Sequence, residues 1–513
     1  MTRAALVLAL VAGCTDEHYL VVTVDARPAV HDATSLAVTL SNGEASRMQS
    51  VTLGSHTFPL TFSVSTPNRT GELDLTIEAD DAGQTAVGLG SASTTIGTAK
   101  LDLMLEATDF VVNTDFAMDQ FLSENSEANG LQLAVDSNGT WTVGFRDNCN
   151  QTNSCNIYGR RFDPRGVAQN TEAAAGTNAF LVTTDETQEF STPAVTAAGS
   201  NTLVMWDADD PTDTNGTLAS VACRALDAQG NASASQNALS TDDASSVTVT
   251  PLPNGNFAVS WEIFTPQDEI HTIIAKPDCT PVNTSPVKVS TTVGTTLGPG
   301  GSHVAANGTG VLYAWVTDGD AYVRAGNDTA GLTGTTDIKL LAHSADYEVR
   351  AVRLAPLGSG YALVVRWGNP GFSGPGKIEL FQLTATGALA VPQPTLITDQ
   401  SQGDFVSGSQ APGIALRASD GAMLVVWHAC DASGSTGSCD VFGQMIRPDG
   451  SLSGTSFPLA TTTMEDQTAP AAVALPDGSF AAAWNDSSLT PPDTSGLAVR
   501  ARIIYPAYSA SGG

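Results

Sequence analysis

A cluster of carboxylates is the feature of this 513-residue sequence best suited to hold a ligand. Four acids, Asp207, Asp209, Asp210 and Asp213, fall close together in a stretch that also contains Thr, Asn and Gly. Carboxylate oxygens are ligands that Ca²⁺ prefers. Pro211 stands where a calcium loop has its leading carboxylate, and no Glu closes the loop. We therefore expect these acids to bind Ca²⁺ or a partner, with simple solubility of an acidic surface as the alternative, and we expect no other cofactor.

Cys14 is a candidate for lipid attachment. Arg3 precedes an apolar run, Ala4 to Ala12, which has the length of a signal-peptide core and is much shorter than the roughly 20 residues that span a bilayer. The run ends in Leu10-Val11-Ala12-Gly13-Cys14, which resembles the lipobox of bacterial lipoproteins. The resemblance implies that residues 1–13 are a signal peptide, that Cys14 carries the anchor, and that residues 14–18 are a short tether. An ordinary secretory signal is the alternative.

The residue after Cys14 is Thr15 rather than Asp, which favours the outer membrane within the cell envelope. An exported chain with an even number of remaining cysteines predicts disulfides. The segments that begin at Cys155 and Cys439 align without a gap, and each has a second cysteine shortly upstream. We therefore predict the hairpin-loop pairs Cys149–Cys155 and Cys430–Cys439, and by elimination Cys223–Cys279. A zinc site is the alternative, but the sequence has no C-x2-C pair.

The net charge narrows the classes of partner. With 22 Lys and Arg against 53 Asp and Glu, the chain carries a charge of −31, which excludes nucleic acid and any membrane contact other than the anchor. The 48 Gly and 26 Pro, with only 15% charged residues, favour short strands joined by tight turns. We predict an all-β, monomeric protein.

A repeat begins after residue 108. Aromatic residues recur at Phe145, Trp206, Trp261, Trp315, Trp367, Trp427 and Trp484, with spacings of 61, 55, 54, 52, 60 and 57 residues. Alternating apolar runs separated by Asn-Gly or Asp-Gly predict hairpins, and a period near 50 residues with about four strands per copy is typical of a β-propeller blade. We therefore predict a seven-bladed propeller over residues 109–513, with Phe110 to Thr114 as an N-terminal strand that closes the last blade.

These copies resemble a repeat of exported bacterial proteins, D-G-x-F-V-V-x-W followed by a strand that ends R-F-x-x-x-G. The segment Arg161 to Gly166 keeps that end in the first copy. Residues 19–108 contain seven short alternating runs, such as Leu73 to Ile77, and their spacing resembles an immunoglobulin-like β-sandwich. We expect this domain to act as a spacer between the anchor and the propeller.

Enzyme signatures are mostly missing from the sequence. It has no H-E-x-x-H, no G-x-S-x-G and no Walker loop, and its 17 arginines show no evident cluster. The loops between the second and third strands of the blades are long and acidic, and such loops usually carry binding sites. We therefore expect a scaffold that binds an envelope protein or a glycan. The alternative is a polysaccharide-active hydrolase or lyase that uses paired carboxylates such as Asp209 and Asp210.

Overall fold

The computed structural model describes residues 5–7, 19–113, 119–122, 132–147, 156–169, 179–183, 189–190, 193–209, 219–240, 244–263, 269–291, 302–308, 310–333, 336–370, 376–398, 411–430, 439–494 and 496–506. The chain divides into two compact units, one formed by Met1–Asp109, Arg165–Val167 and Arg502–Gly513 and the other by Phe110–Pro164 and Ala168–Ala501. No helix in the described chain is long and apolar enough to cross a membrane. Cys14 and most of the predicted signal peptide lie outside the described residues.

The N-terminal unit is a single curled sheet of eight strands. In chain order these are β1 (Ala5–Val7), β2 (Tyr19–Ala26), β3 (Ser35–Asn42), β4 (Ala45–Thr52), β5 (Leu60–Ser65), β6 (Glu72–Asp80), β7 (Ala86–Thr95) and β8 (Lys100–Ala107). They are hydrogen-bonded in the order β1-β5-β2-β8-β7-β6-β3-β4. Side chains alternate along β6, where Leu73, Leu75 and Ile77 are buried, so one face of the sheet covers the core.

The predicted immunoglobulin-like sandwich is corrected to this curled, mixed half-barrel. Strand β2 pairs in parallel with β8, from Val21 opposite Lys100 to Ala26 opposite Leu105. Strand β7 in turn pairs with β8 at Gly88 and Leu89, so the strands form one continuous path rather than two separate sheets. Alternating apolar residues predict strands with one buried face, but they do not specify which strands pair.

The second unit is the predicted seven-bladed propeller. It begins with β9 (Phe110–Val111). Blade 1 contains β10 (Gln120–Phe121), β11 (Leu133–Val135), β12 (Trp141–Asp147), β13 (Asn156–Phe162), β14 (Ala168–Gln169) and β15 (Phe180–Leu181). Blade 2 contains β16 (Glu189–Phe190), β17 (Ala194–Ala198), β18 (Asn201–Asp209), β19 (Ala219–Leu226) and β20 (Asn237–Ser240).

Blades 3 to 6 each have four strands in sequential order, and blade 7 has three sequential strands followed by β9. Blade 3 contains β21 (Ala244–Pro251), β22 (Phe257–Ile263), β23 (Glu269–Ala275) and β24 (Val287–Lys288). Blade 4 contains β25 (His303–Asn307), β26 (Gly310–Thr317), β27 (Asp320–Asn327) and β28 (Ile338–Leu341). Blade 5 contains β29 (Glu348–Leu357), β30 (Gly360–Gly368), β31 (Lys377–Leu383) and β32 (Thr395–Thr398). Blade 6 contains β33 (Gly413–Leu416), β34 (Met423–Cys430), β35 (Cys439–Ile446) and β36 (Leu452–Pro458). Blade 7 contains β37 (Gln467–Ala474), β38 (Phe480–Asp486), β39 (Ala498–Ile504) and β9.

Closure of the ring by the N-terminal strand is confirmed. Strand β9 is the outer strand of blade 7 and pairs antiparallel with β39, with Val111 opposite Arg500 and Phe110 opposite Ala501. This pairing joins the two ends of the propeller sequence in one blade and covers an edge of β39 that would otherwise be exposed.

The predicted turns and anchors are also confirmed. Glycines of the turns between first and second strands have positive φ, for example 82° at Gly255 and 90° at Gly478, a conformation that glycine adopts without steric cost. The seven anchors are buried, from 0% exposed at Phe145 to 8% at Trp367. Trp261 packs in one cluster with Met205 and Val221 of the preceding blade. The anchors therefore form the core between blades and are not platforms for a ligand.

Candidate functional site

The acidic cluster predicted to bind Ca²⁺ is only partly described. Asp207 lies on β18 and is 8% exposed, and Asp209 is the last residue of that strand. Asp210 and Asp213 lie outside the described residues. In the described ranges, no three His, Cys, Asp or Glu side chains are grouped so that they could hold a metal ion. Calcium binding at the four acids remains a prediction.

Two of the three predicted disulfides are confirmed. Cys223 on β19 is bonded to Cys279 in the turn after β23, so this disulfide joins blade 2 to blade 3. Cys430 at the end of β34 is bonded to Cys439 at the start of β35. Cys149 and Cys155 lie outside the described residues. Disulfides persist in oxidising compartments, so the two bonds are consistent with an extracytoplasmic location.

The central channel holds buried charged groups of both signs. Arg353 on β29 and Glu262 on β22 are 4% and 1% exposed. His303, at the start of β25, accepts a hydrogen bond at Nδ1 from the amide of Leu354 at 3.2 Å. Burial and the nearby Arg353 charge hold the pKa of His303 well below its usual value, so its ring is neutral. The described part of the channel is therefore not the set of converging acids that paired-carboxylate catalysis requires.

Basic residues gather at one end of blade 5. We call Arg350, Arg366 and Lys377 the blade-5 basic patch. Arg350 lies near the start of β29, Arg366 near the end of β30, and Lys377 at the start of β31. The register places Arg366 opposite Ala351 on one side and Ile378 on the other. All three residues therefore lie at the blade end where the loops before the first strand and after the second strand open, which is the predicted binding face.

Local backbone geometry aims the side chain of Arg350. The register of β29 against β30 shifts between Val349 and Ala351, and such a bulge redirects the side chain at the extra residue. The Arg350 guanidinium contacts Glu348 Oε1 at 2.5 Å and donates to the carbonyl of Asn369 at 2.7 Å. A Cβ at Gly368 would lie 2.9 Å from Arg350 Cγ, so only glycine leaves room for this side chain.

Lys377 is the more accessible member of the patch, with 27% of its side chain exposed. Its ammonium lies 5.3 Å from the ring centre of Tyr347 and 5.2 Å from that of Trp367, which is cation–π distance. It also donates to Glu379 Oε1 at 2.8 Å. These contacts fix the direction of a long side chain and so reduce the entropy lost when it contacts a ligand.

The two arginines of the patch raise its positive potential. Burial, together with repulsion by Arg350, lowers the pKa of Arg366 to about 9. Arg366 therefore remains protonated at neutral pH although it is only 4% exposed. A cation held in a poorly solvated place favours a nearby anion. Arg366 lies opposite Ile378 and Lys377 lies opposite Trp367, so these two side chains leave opposite faces of the sheet, and Lys377 is the member of the patch that a ligand can contact.

A pair of carboxylates lies on the same face in blades 6 and 7. Asp440 follows Cys439 at the start of β35, and Asp466 immediately precedes β37. Asp466 Oδ1 accepts from the Cys439 amide at 3.0 Å, and the Asp466 amide donates to Ser487 Oγ at 2.9 Å. Burial and then the Asp466 charge raise the pKa of Asp440. The Asp440 carboxyl therefore keeps its proton to a higher pH than an isolated aspartate does, which is the direction that a general acid requires.

The shifted pKa of Asp440 predicts a pH-dependent stability. Because its folded-state pKa is raised, the stability that this group contributes is present below about pH 3.9 and is lost as the pH rises through the folded pKa. We expect Asp440→Asn to raise the melting temperature at pH 7 relative to wild type. The difference should vanish near pH 3.5, which thermal melts at the two pH values measure.

Asp449 provides the matched control in the same blade. Hydrogen bonds from the side chain and backbone of Ser451 lower its pKa, so the sign is opposite. Asp449→Asn should lower the melting temperature at pH 7, with no difference at low pH. If both variants shift in the same direction at pH 7, the interpretation of the Asp440–Asp466 pair is wrong.

Sequence reasoning missed the basic patch. Trp141 is fully buried, stacks on Phe162 with ring centres 4.5 Å apart and donates to the Asp163 carbonyl, so it belongs to the core. The pair Arg350 and Arg366 flanks the Gly358–Gly360 turn at nearly equal distance. Folding that segment as a hairpin would have placed the two arginines together.

No protein-family model and no curated protein matches the chain. Several solved structures resemble it at low identity. A mutant of the NanB sialidase from Streptococcus pneumoniae aligns with a TM-score of 0.42 at 10% identity, over 92% of this chain and 89% of that chain. An ulvan lyase, which is a polysaccharide lyase, aligns with a TM-score of 0.44 at 11% identity, over 76% of this chain and 96% of that chain. An endo-arabinanase from Bacillus licheniformis aligns with a TM-score of 0.31 at 11% identity, over 51% and 96%.

These values describe a shared propeller architecture and carry no argument about activity. The strands of the chain itself establish the fold as a seven-bladed β-propeller that follows a curled mixed sheet.

Proposed function

We propose that this protein is a polysaccharide-active hydrolase or lyase that holds an acidic sugar at the blade-5 basic patch. The observation that carries the proposal is a local reversal of charge. Residues 344–398 contain four basic residues (Arg350, Arg353, Arg366 and Lys377) and three acidic ones (Asp346, Glu348 and Glu379), in a chain of net charge −31. Arg350, Arg366 and Lys377 lie at the end of this blade where the loops open, whereas Arg353 lies in the central channel.

The overall negative charge limits what kind of acidic ligand can bind. Repulsion between the chain and a distant carboxylate is screened within about 8 Å at physiological ionic strength. A contact with Lys377 acts at hydrogen-bond distance in a partly buried place and is screened much less. A sugar unit with one carboxylate or sulfate therefore fits the patch better than a dense polyanion such as nucleic acid.

Cleavage is supported by the Asp440–Asp466 pair. Glycoside hydrolysis needs one carboxyl group that is protonated and one that is ionised. Asp440 has a raised pKa, and the Asp466 carboxylate accepts a hydrogen bond from the Cys439 amide. Both residues lie in the blades that follow blade 5 around the ring, on the same face as the basic patch.

The sequence also predicts attachment through Cys14, and we propose that this anchor holds the propeller at the cell envelope. A lipid anchor would place the propeller face that carries the blade-5 basic patch near envelope or extracellular glycans. The function that the sequence favours first is binding of an envelope glycan or protein without cleavage. The experiment below distinguishes this function from an enzymatic one.

Polygalacturonate and its fully methyl-esterified form test the proposal, because they differ only in the charge of the carboxyl group. Binding is measured by calorimetry, hydrolysis by new reducing ends and elimination by the ultraviolet absorbance of an unsaturated end. We expect the acid form to bind and to be cleaved, and Asp440→Asn to retain binding and lose cleavage. Binding without cleavage would leave a binding protein and overturn the enzymatic proposal. Equal affinity for both forms would contradict the role of the patch.

Lys377→Ala should weaken binding of the acid form about tenfold, because one charge-assisted hydrogen bond contributes about 1.5 kcal/mol. Lys339 in blade 4 is a matched control. It also lies over a tyrosine, 5.5 Å from the Tyr322 ring centre, and is paired with Asp320 Oδ2 at 2.5 Å. Lys339→Ala should leave the affinity unchanged. An equal loss in both variants would indicate a general effect of charge and not a site.

A further inference from the structure

A small cavity lies in the central channel, apart from the blade-5 basic patch. Its volume is about 20 Å³. A cavity needs about 10–15 Å³ to hold one water, so this volume fits a water or a monatomic ion. Most of its wall is apolar or backbone, from the segments Ala411–Ile414 of blade 6 and Ala469–Ala472 of blade 7.

Two polar side chains complete the wall, and both present hydrogen-bond donors. Gln132 comes from the segment that leads into β11 of blade 1, and Arg353 comes from β29 of blade 5. They are 3% and 4% exposed. Gln132 Nε2 has no hydrogen-bond partner among the described residues. A buried donor without a partner is costly, so the cavity favours an occupant that accepts hydrogen bonds.

The charge nearest to the cavity is that of Arg353, which the Glu262 carboxylate partly offsets. Burial lowers the pKa of Arg353 to about 9 despite the attraction of Glu262, and the guanidinium therefore remains charged at neutral pH. His303 beside it is neutral and adds no positive charge. An anion next to Arg353 would gain from the low dielectric of the channel, whereas a cation would be repelled.

We propose that the cavity binds a chloride ion between the Arg353 guanidinium and the Gln132 amide. The volume fits a monatomic ion, and a wall whose polar groups are donors favours an anion over a metal cation. The ion bridges blades 1 and 5 across the channel and contacts blades 6 and 7, so it ties together the part of the ring where the chain closes. This inference is independent of the proposed polysaccharide activity.

The test compares chloride with gluconate, an anion too large for the cavity. We expect the full-length chain to melt about 2 °C or more higher in sodium chloride than in sodium gluconate of the same ionic strength. Crystals soaked in sodium bromide should show an anomalous peak between Arg353 and Gln132. Equal melting temperatures in the two salts, with no bromide peak in the cavity, would show that a water fills it and would overturn the proposal.

Variants of the residues that line the cavity test whether the chloride-dependent rise in melting temperature arises there. Gln132→Leu should abolish the chloride-dependent rise and the bromide peak, and Arg353→Met should do the same if it folds. Gln444 is a matched control, because it is another buried glutamine, 2% exposed, that donates to the carbonyl of Met445 in blade 6 and does not line the cavity. Gln444→Leu should melt at a lower temperature and keep the full chloride effect. A chloride effect that persists in Gln132→Leu would place the ion elsewhere and contradict the proposal.

Discussion

Asp486→Ala is expected to destabilise the propeller by about 3–5 kcal/mol, because it leaves the Arg500 charge buried without its partner. The Asp486 carboxylate accepts from Arg500 Nε at 2.8 Å, from Ser488 Oγ at 2.5 Å and from Gln467 Nε2 at 3.2 Å. Asp486 and Arg500 are 1% and 3% exposed. Arg500 lies opposite Val111 in the strand pairing that closes the ring, so we expect the loss of stability to affect blade 7.

Urea unfolding followed by tryptophan fluorescence measures this loss, since all seven tryptophans lie between residues 141 and 484, within the propeller. The double variant Asp486→Ala/Arg500→Met removes both charges and should be more stable than Asp486→Ala alone. Asp477→Asn, on an exposed turn of the same blade, should change stability by less than about 1 kcal/mol. A loss below about 1 kcal/mol for Asp486→Ala would show that the buried pair does not stabilise the closure.

Removing the disulfide between blades 2 and 3 is the second large effect that we expect. Cys223 and Cys279 are 56 residues apart. In the chain-entropy model, a disulfide that closes a loop of that size raises the free energy of the unfolded chain by about 4 kcal/mol. The Cys430–Cys439 bond spans 9 residues, for which the same model gives about 2.7 kcal/mol. The double variants Cys223→Ala/Cys279→Ala and Cys430→Ala/Cys439→Ala should therefore differ by about 1 kcal/mol in urea unfolding.

The positions of the two disulfides also predict a larger loss of stability when Cys223–Cys279 is removed than when Cys430–Cys439 is removed. The Cys223–Cys279 bond joins neighbouring blades, and both residues are buried within the cluster that also holds Trp261, so alanine there also loses packing. The Cys430–Cys439 bond closes one loop within blade 6. A larger loss at the loop disulfide than at the inter-blade disulfide would contradict the assigned roles.

Local sequence patterns predict the propeller because each blade consists of consecutive antiparallel strands. Asn254-Gly255 and Asp477-Gly478 specify tight hairpin turns, and the recurring tryptophans mark the second strand of most blades. The closing strand was predictable because Phe110 to Thr114 stood before the first copy without a partner in its own blade. Its pairing with β39 supplies the fourth strand of blade 7.

Pairing between distant strands is what the sequence does not specify. The parallel pairing of β2 with β8 converts the expected sandwich into a curled mixed sheet, and no local motif encodes it. The basic patch depends on register in the same way, because Arg350 and Arg366 meet only when β29 and β30 pair with a shift at Arg350. The predicted acidic site at Asp209 and Asp213 remains a prediction, since Asp213 lies outside the described residues.

The central claim is that an acidic sugar binds at the blade-5 basic patch, and hydrogen–deuterium exchange of the protein with and without polygalacturonate tests it most directly. The account predicts slower exchange in peptides that cover residues 347–350, 366–369 and 377–379, with no change around Lys339 and no change when the methyl ester replaces the acid. Protection confined to other blades, or equal protection by the ester, would contradict the claim.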